Sequence, residues 1–499
     1  MTGAPIKERE IILNILLEIT EDGVYSHLSL QKWLARYQQL DKRQRAFISR
    51  VCEGTLQHMI ELDYLLNQVS NVKVNKMKPV IRGILRSAVY QLKYMDSVPS
   101  RAVCNEAVNL AVKRGFRNLR GFVNGVLRNM VRKLPEISYP TEPLSRIEIQ
   151  YSIPRWILEL WQESYDLAII EKMAASFQEE ERGLTIRTNL SKTTPKQLQE
   201  SLQSSGLTVV KHSILPYAFT IQGFDYLEKL PAFQAGEFYV QDISSMLVGE
   251  LAGVRRGDIC LDVCAAPGGK ALHLAELLHG YELLHGSGKV EAFEAGVIET
   301  RAEELLHGSG KMEALEAGAI ETRSEELLHG FGKVEARDVS DHKVQLLTEN
   351  IARSGLTNIS ARKWDARVRD ESWVDKADLV LADLPCSGLG VLGKKADLRY
   401  KAKPENLPSL VALQREILAT VQAYVKPKGT LVYSTCTMNR MENEENVAWF
   451  LEQFPQFQLV DLSPLLPSSL REANAGKTLQ LLPGIHHGDG FFISRFERG

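Results

Sequence analysis

Apolar residues recur at helical spacing through the first quarter of the chain. Ile11, Ile12, Ile15, Leu16 and Ile19 fall on one helix face. Val103, Ala107, Leu110 and Ala111 repeat the pattern over Ala102–Lys113, and Gly115 is placed to end it. Phe122-Val123-Asn124-Gly125-Val126-Leu127-Arg128 opens another short helix. Residues 1–135 are therefore predicted to form an all-helical bundle.

From Leu134-Pro135 to Pro143 prolines interrupt the pattern, as in a connector. Residues 151–235 then mix an amphipathic helix (Trp156–Tyr165), a short strand (Gly183–Asn189) and a further helix and strands, which with the connector make a small α/β unit over 136–235. Over residues 236–499 strand-like runs alternate with helices: Ile259–Val263, Leu379–Ala382, Gly429–Ser434 and Gly490–Phe496. Such alternation predicts a mostly parallel sheet with helices on both faces. The fold class is thus multidomain, all-α followed by α/β.

One segment departs from this scheme. ELLHG begins at Glu276, Glu282, Glu304 and Glu326, and Glu282–Glu303 is nearly identical to Glu304–Glu325. Two copies cannot make a solenoid. Without residues 282–331 the helix before them runs straight into a short loop and strand, so they read as a tandem-repeat loop insertion, which loop-closure entropy tolerates. The repeated histidines 279, 285, 307 and 329 follow from copying one helix end, so no metal is expected there.

At 499 residues the chain is too long for one core. No apolar run reaches the ~18–20 residues that span a bilayer. Glu8 and Glu10 argue against a targeting peptide, so no membrane role and a cytoplasmic address are expected. The net charge of −2 hides an asymmetry: residues 1–132 carry 21 Lys and Arg against 11 Asp and Glu. A basic domain of that size suits phosphate backbones. The six cysteines, at 52, 104, 260, 264, 386 and 436, form neither a disulfide framework nor a CxxC zinc pair.

The strand Ile259–Val263 runs into Cys264-Ala265-Ala266-Pro267-Gly268-Gly269-Lys270 ahead of a helix. A Gly-rich turn at a strand's C-terminal end lets a ligand approach the backbone and the helix amides. The turn is neither GxGxxG nor a P-loop and by itself indicates a nucleotide-like cofactor. Asp338, Asp365 and Asp383 follow later strands, where carboxylates can meet ribose hydroxyls or an amino group.

In this order, CAAPGGK (264–270), DLPCSG (383–388), STCT (434–437) and DGFF (489–492) resemble the Sun (Fmu) family of RNA cytosine-C5 methyltransferases. Val103-Cys104-Asn105-Glu106-Ala107-Val108, with Phe122 to Leu127, is similar to a NusB-like RNA-binding domain. The resemblance spans essentially the whole chain except the repeats. It implies a NusB-like bundle at 1–135, a small α/β RNA-binding subdomain at 136–235 and a Rossmann-like methyltransferase domain at 236–499. It further implies S-adenosylmethionine as methyl donor without a metal, small-subunit (16S) ribosomal RNA as partner, and a monomer. Cys264, Ala265, Ala266, Pro267, Gly268, Gly269 and Lys270 would wrap the methyl donor. Asp338 would bind its ribose and Asp365 its adenine, and Asp383 would line the methyl-transfer site.

Carbon 5 of cytosine is a poor nucleophile until a thiolate adds to carbon 6, which makes carbon 5 enamine-like. Cys386 and Cys436 both follow strands and can face one pocket. DNA cytosine methyltransferases use the Pro-Cys cysteine, here Cys386. The resemblance implies the Thr-Cys cysteine, Cys436, as nucleophile, with Cys386 assisting product release. Asp383 is expected to hold a protonated cytosine N3. The target base must be flipped or single-stranded. Arg114, Arg117 and Arg120 are expected to meet phosphates, and Arg187, Asn189 and Arg399 to lie on the RNA path. Two other readings are a transfer RNA substrate and a non-catalytic ribosome assembly factor. Intact Cys386, Cys436, Asp383 and Lys270 stand against the second.

Overall fold

The computed structural model describes residues 8–37, 39–179, 183–279, 332–471 and 476–499. The chain divides into two compact units, Met1–Glu180 with Val391–Asn406 and Pro483–Ile485, and Glu181–Gly390 with Leu407–Leu482 and His486–Gly499. The repeats at 282–331, with histidines 285, 307 and 329, lie outside the described residues.

The first unit is helical. Its helices include Glu8–Thr20, Lys42–Gln57, Met59–Val69, Pro79–Tyr94, Ser100–Lys113 and Arg120–Lys133. Local chemistry sets their ends. Asp41 and Gln44 form a reciprocal capping box ahead of Lys42, and Pro79 occupies a first-turn position where no N–H is needed. Gly115, at φ +85°, ends the helix that the sequence places over 102–113. The apolar stripes meet in one core that buries Ile11, Ile15, Leu62, Leu85, Val89, Val123 and Leu127. Each such side chain contributes about 1.5–3 kcal/mol. Arg117 and Arg120 are exposed, whereas Arg114 is half-buried and donates to Asn14.

Three more helices, Pro143–Tyr151, Arg155–Gln162 and Leu167–Ser176, belong to the same unit. So does a stretch from far along the chain, 391–406. There Asp397 accepts from the Ser26 amide at 3.0 Å and its hydroxyl at 2.7 Å. Arg399 donates from Nη1 to the carbonyls of Gln57 (3.0 Å), Tyr151 (3.0 Å) and Ser152 (3.3 Å).

The second unit contains two sheets. Strands β1 (Leu184–Thr188), β2 (Thr208–Lys211), β3 (Ala218–Gln222) and β4 (Phe238–Val240) form an antiparallel sheet in the order β2-β3-β1-β4. The larger sheet uses β5 (Ile259–Asp262), β6 (Lys333–Asp338), β7 (Ile359–Lys363), β8 (Ala377–Asp383), β9 (Val425–Thr435), β10 (Phe457–Leu459), β11 (Thr478–Leu481) and β12 (Phe491–Arg498). Its order is β10-β12-β9-β8-β5-β6-β7, with β11 on β12. Strands β5 to β9 are parallel, whereas β12 runs antiparallel to β9 and pairs β10 and β11 the same way. From β5 the chain moves outward through β6 and β7, then returns to build β8 and β9 on the other side. Sheets that reverse in this way bind ligands at the C-terminal ends of the strands beside the reversal.

Three residues expected on the RNA path do not reach the surface. Arg187, Asn189 and Arg399 are 1%, 0% and 0% exposed. Arg187, on β1, pairs with Glu276 of the helix Gly269–Leu278, donates to Gln241 at 2.7 Å and stacks over Tyr239. Asn189 donates to the carbonyls of Gly236 (2.8 Å) and Ser354 (3.0 Å). Each turns polar atoms to internal partners, because a buried guanidinium or amide is costly unless bonded.

Candidate active site

The parallel strands place the sequence-selected residues in one row of neighbouring strand ends. Cys436 directly follows β9. Asp383 ends β8, with Cys386 three residues on. Cys264 to Lys270 follow β5, Asp338 ends β6, and Asp365 lies two residues past β7. Pairing of Asp383 with Ser434 sets β8 and β9 in register, and the Leu384 amide extends the ladder to the Ser434 carbonyl at 3.1 Å. The two cysteine sulfurs lie 3.1 Å apart. Cys264, the third half-buried cysteine, lies on the turn after β5.

After β5 the backbone turns sharply. The Ala265 amide bonds the Arg337 carbonyl at 2.8 Å, and the Ala266 amide bonds Asp338 Oδ2 at 3.3 Å. Gly268 sits at φ +110°, and a Cβ there would stand 2.7 Å from Leu347 Cδ1, so glycine is required on both counts. Lys270, in the first turn of the following helix, donates to Asp383 Oδ2 at 2.7 Å and lies over the Phe491 ring. Ser434 donates to the other Asp383 oxygen at 2.8 Å.

This corner is electrostatically crowded. Burial, and then the charge of Asp383, push the Asp262 carboxyl up to about 8. The Lys270 ammonium is opposed by burial, but Asp383 and Asp262 outweigh it and hold its pKa above the ordinary value. Burial, reinforced by Asp262 and Asp338, raises the Cys264 thiol. The hydrogen bond to Cys436, with burial and the Cys436 charge behind it, pushes the Cys386 thiol well up.

A cavity of about 300 Å³ opens beside the row. Val263, Cys264, Asp338, Asp365 and Pro385 line it, so it extends from the ends of β6 and β7 to the residue before Cys386. Its other walls are Val339, Lys343, Trp364, Ala366, Arg367, Leu413 and Ile417. A pocket of that size with apolar walls and a few polar groups is typical of a small-molecule site. Asp338 is 3% exposed and also takes the Val339 amide at 2.8 Å. Arg367 holds Asp365 through Nε (3.0 Å) and Nη2 (2.6 Å) and keeps its pKa below the usual carboxylate range.

Sequence reasoning had not singled out Lys343, Trp364 or Arg367. Lys343 lies in the first turn of Asp341–Ser354, 3.3 Å from Asp338. Its signal was a cation five residues after the acid; Trp364 and Arg367 simply flank Asp365.

The model for the NusB family matches residues 6–132, that for a ferredoxin-like domain of RsmF/B-like methyltransferases matches 153–225, and that for 16S rRNA methyltransferase RsmB/F matches 317–497. A probable ribosomal RNA small subunit methyltransferase B of Bacillus subtilis (strain 168) is 33% identical over 493 residues, 97% of each chain. This chain belongs to the RsmB/F family of 16S rRNA methyltransferases. A probable methyltransferase B of Synechocystis sp. is 29% identical, over 99% of this chain and 100% of its own. Among solved structures, PH0851 matches over 100% of both chains at a TM-score of 0.74 and 23% identity. A methyltransferase homologue from Pyrococcus horikoshii matches at 0.52 and 20% identity, over 72% of this chain and all of its own. These two share the fold. The architecture of an RsmB/F methyltransferase therefore accounts for the helical bundle, the small antiparallel sheet and the mixed sheet. No described helix is long and apolar enough to cross a membrane.

Proposed function

We propose that this methyltransferase acts on carbon 5 of a cytosine in 16S ribosomal RNA, with Cys436 as covalent nucleophile and Cys386 as the thiol that assists release. The observation that carries the reading is the pair of sulfurs 3.1 Å apart, at the ends of paired parallel strands and beside Asp383 and Lys270.

The cavity residues suit S-adenosylmethionine. The buried Asp338 carboxylate, whose oxygens keep lone-pair capacity, fits a ribose diol, and Trp364, Leu413 and Ile417 fit a flat base. Asp365, gripped by Arg367, is the group for the adenine amino nitrogen. The turn 264–270 would follow the remainder of the molecule. Bound there, S-adenosylmethionine supplies an electrophilic methyl group.

The protein's own groups perform the rest. The Cys436 thiolate forms a C–S bond to carbon 6, and the ring electrons move toward N3, where Asp383 holds the proton. Each Asp383 oxygen is occupied by one donor, Lys270 or Ser434, and keeps lone-pair capacity for the base. Carbon 5, now electron-rich, takes the methyl group. Water takes the proton from carbon 5, the C–H electrons re-form the double bond, and the C–S bond breaks to expel the Cys436 thiolate, with the Cys386 thiol 3.1 Å away to donate a hydrogen bond to it.

Denaturing gels with target RNA and S-adenosylmethionine test this directly. Cys386→Ala is expected to accumulate a covalent RNA adduct, and Cys436→Ser to form none and to lose methyl transfer. A Cys436→Ser enzyme that methylates at the wild-type rate overturns the mechanism. Bisulfite sequencing of RNA from cells with and without the protein tests the substrate. A site lost from transfer RNA rather than 16S RNA reassigns the substrate and leaves the chemistry standing.

A further inference from the structure

Behind the cysteine pair lies a carboxylate that the mechanism has not used. Glu442, six residues past Cys436, is 0% exposed. Its Oε2 accepts from the Ser387 amide at 2.8 Å and from Gln414 Nε2 at 3.1 Å, and its Oε1 accepts from Asn439 at 3.1 Å. No Lys or Arg lies within ion-pair distance of it among the described residues. Neutral N–H donors alone hold a wholly buried acid, an arrangement costly enough to need a reason.

Those donors all belong to the two cysteine loops or brace them. Ser387 follows Cys386. Gln414 donates the same amide to the Pro385 carbonyl, at 2.9 Å, on the other side of Cys386. Asn439 is three residues past Cys436. Separately, Ser387 and Thr437, the residues after each cysteine, share a hydroxyl–hydroxyl bond of 2.8 Å. One carboxylate thus fastens the peptide on both sides of Cys386 to the loop that carries Cys436.

We propose that Glu442 is a positioning residue that sets the sulfur–sulfur spacing and keeps Cys386 the thiol partner of the pair. This rests on the covalent reading above. The Glu442 charge is among the influences that raise Cys386, after the hydrogen bond to Cys436, burial and the Cys436 charge. The other titratable or charged groups near the pair are Lys270, which feels the Cys436 charge and is bonded to Asp383; Tyr433, which feels both Glu442 and Cys386; and Arg415, whose charge reaches Tyr433. Because Cys386 is disfavoured as a thiolate, it stays the hydrogen-bonding member of the pair, and the two cysteines take different tasks.

Peptide-resolved iodoacetamide alkylation of the whole enzyme between pH 6 and pH 10, read beside single-turnover methylation, tests the proposal. In Glu442→Gln the rate of Cys386 alkylation at a given pH in this range is expected to rise on the order of tenfold, as the thiolate becomes easier to form. Turnover is expected to drop on the order of tenfold with KM for S-adenosylmethionine unchanged, and Glu442→Asp to recover part of both. Should Glu442→Gln not fold, Gln414→Met removes one of the ties and is expected to move both readouts the same way by less. A Cys386 profile and a turnover that match the wild type in the folded variant overturn the proposal. That outcome would leave Cys436 in place as nucleophile, whereas methylation by Cys436→Ser would remove the covalent reading itself.

Discussion

Replacing Arg399 with methionine separates two roles, an internal brace and an RNA contact. The guanidinium is wholly buried and donates to four carbonyls, those of Gln57, Tyr151 and Ser152 and, at 3.4 Å, Leu392. Methionine retains most of the apolar stem but offers no donor. Leaving four buried carbonyls bare at about 1 kcal/mol each costs roughly 4 kcal/mol. Part of this is offset, because burial already drives the guanidinium down to about 10 and the variant is spared the cost of burying that cation. A net loss of about 2–3 kcal/mol remains. At ~2–4 °C per kcal/mol for a unit of this size, the melting temperature is expected to fall by roughly 5–10 °C. Differential scanning calorimetry reads the loss, and filter binding to 16S RNA below the transition is expected to stay within about twofold of wild type. An unchanged melting temperature together with weakened RNA binding would refute the assignment and return Arg399 to the RNA path.

Two further substitutions probe the site. The unfolded chain loses the Asp262 proton near its ordinary 3.8 and the folded chain only near 8, so the native state binds more protons between them and stability must decline as pH rises through that window. Asp262→Asn is expected to flatten the decline and to exceed the wild type in urea midpoint at pH 9; parallel curves for the two proteins would rule this out. A Cβ on Gly390 would stand 2.0 Å from the Gly490 carbonyl oxygen, while the Gly390 amide holds the Cys436 carbonyl at 3.0 Å. Gly390→Ala is therefore expected to cost at least ~1–3 kcal/mol through overpacking and to slow adduct formation, and wild-type values for both would show that the two backbones can part.

The strand ends were legible because their signals are local. A run of β-formers followed by Ala-Pro-Gly-Gly or by Leu-Pro-Cys announces where a strand stops and what it presents, and the helices of the first unit declare themselves by spacing. Strand order is not local. That Cys386 and Cys436 lie on adjacent strands, or that β12 runs against β9, depends on pairings between segments 50 or more residues apart, as the cysteine contact itself shows. The same limit explains the misplaced arginines. Arg187 reads as a surface cation until Glu276, 89 residues on, covers it, and the partners of Arg399 at Gln57 and Tyr151 lie 342 and 248 residues back. Glu442 escaped notice because Glu442-Asn443-Glu444-Glu445 looks like the acidic start of an exposed helix, which it is for Glu444 and Glu445 alone.

The tenancy of residues 391–406 in the helical unit has a practical corollary. The chain leaves Cys386 and, five residues later, enters a stretch whose buried polar groups find hydrogen-bond partners on the helices of the first unit. A fragment begun at residue 181 would retain every strand of the large sheet and both sulfurs, yet Asp397 and Arg399 would lose Ser26, Gln57 and Tyr151. The amino-terminal helices thus hold in place a stretch that lies between the two cysteines in sequence, and grafting or trimming this enzyme requires that both portions travel together.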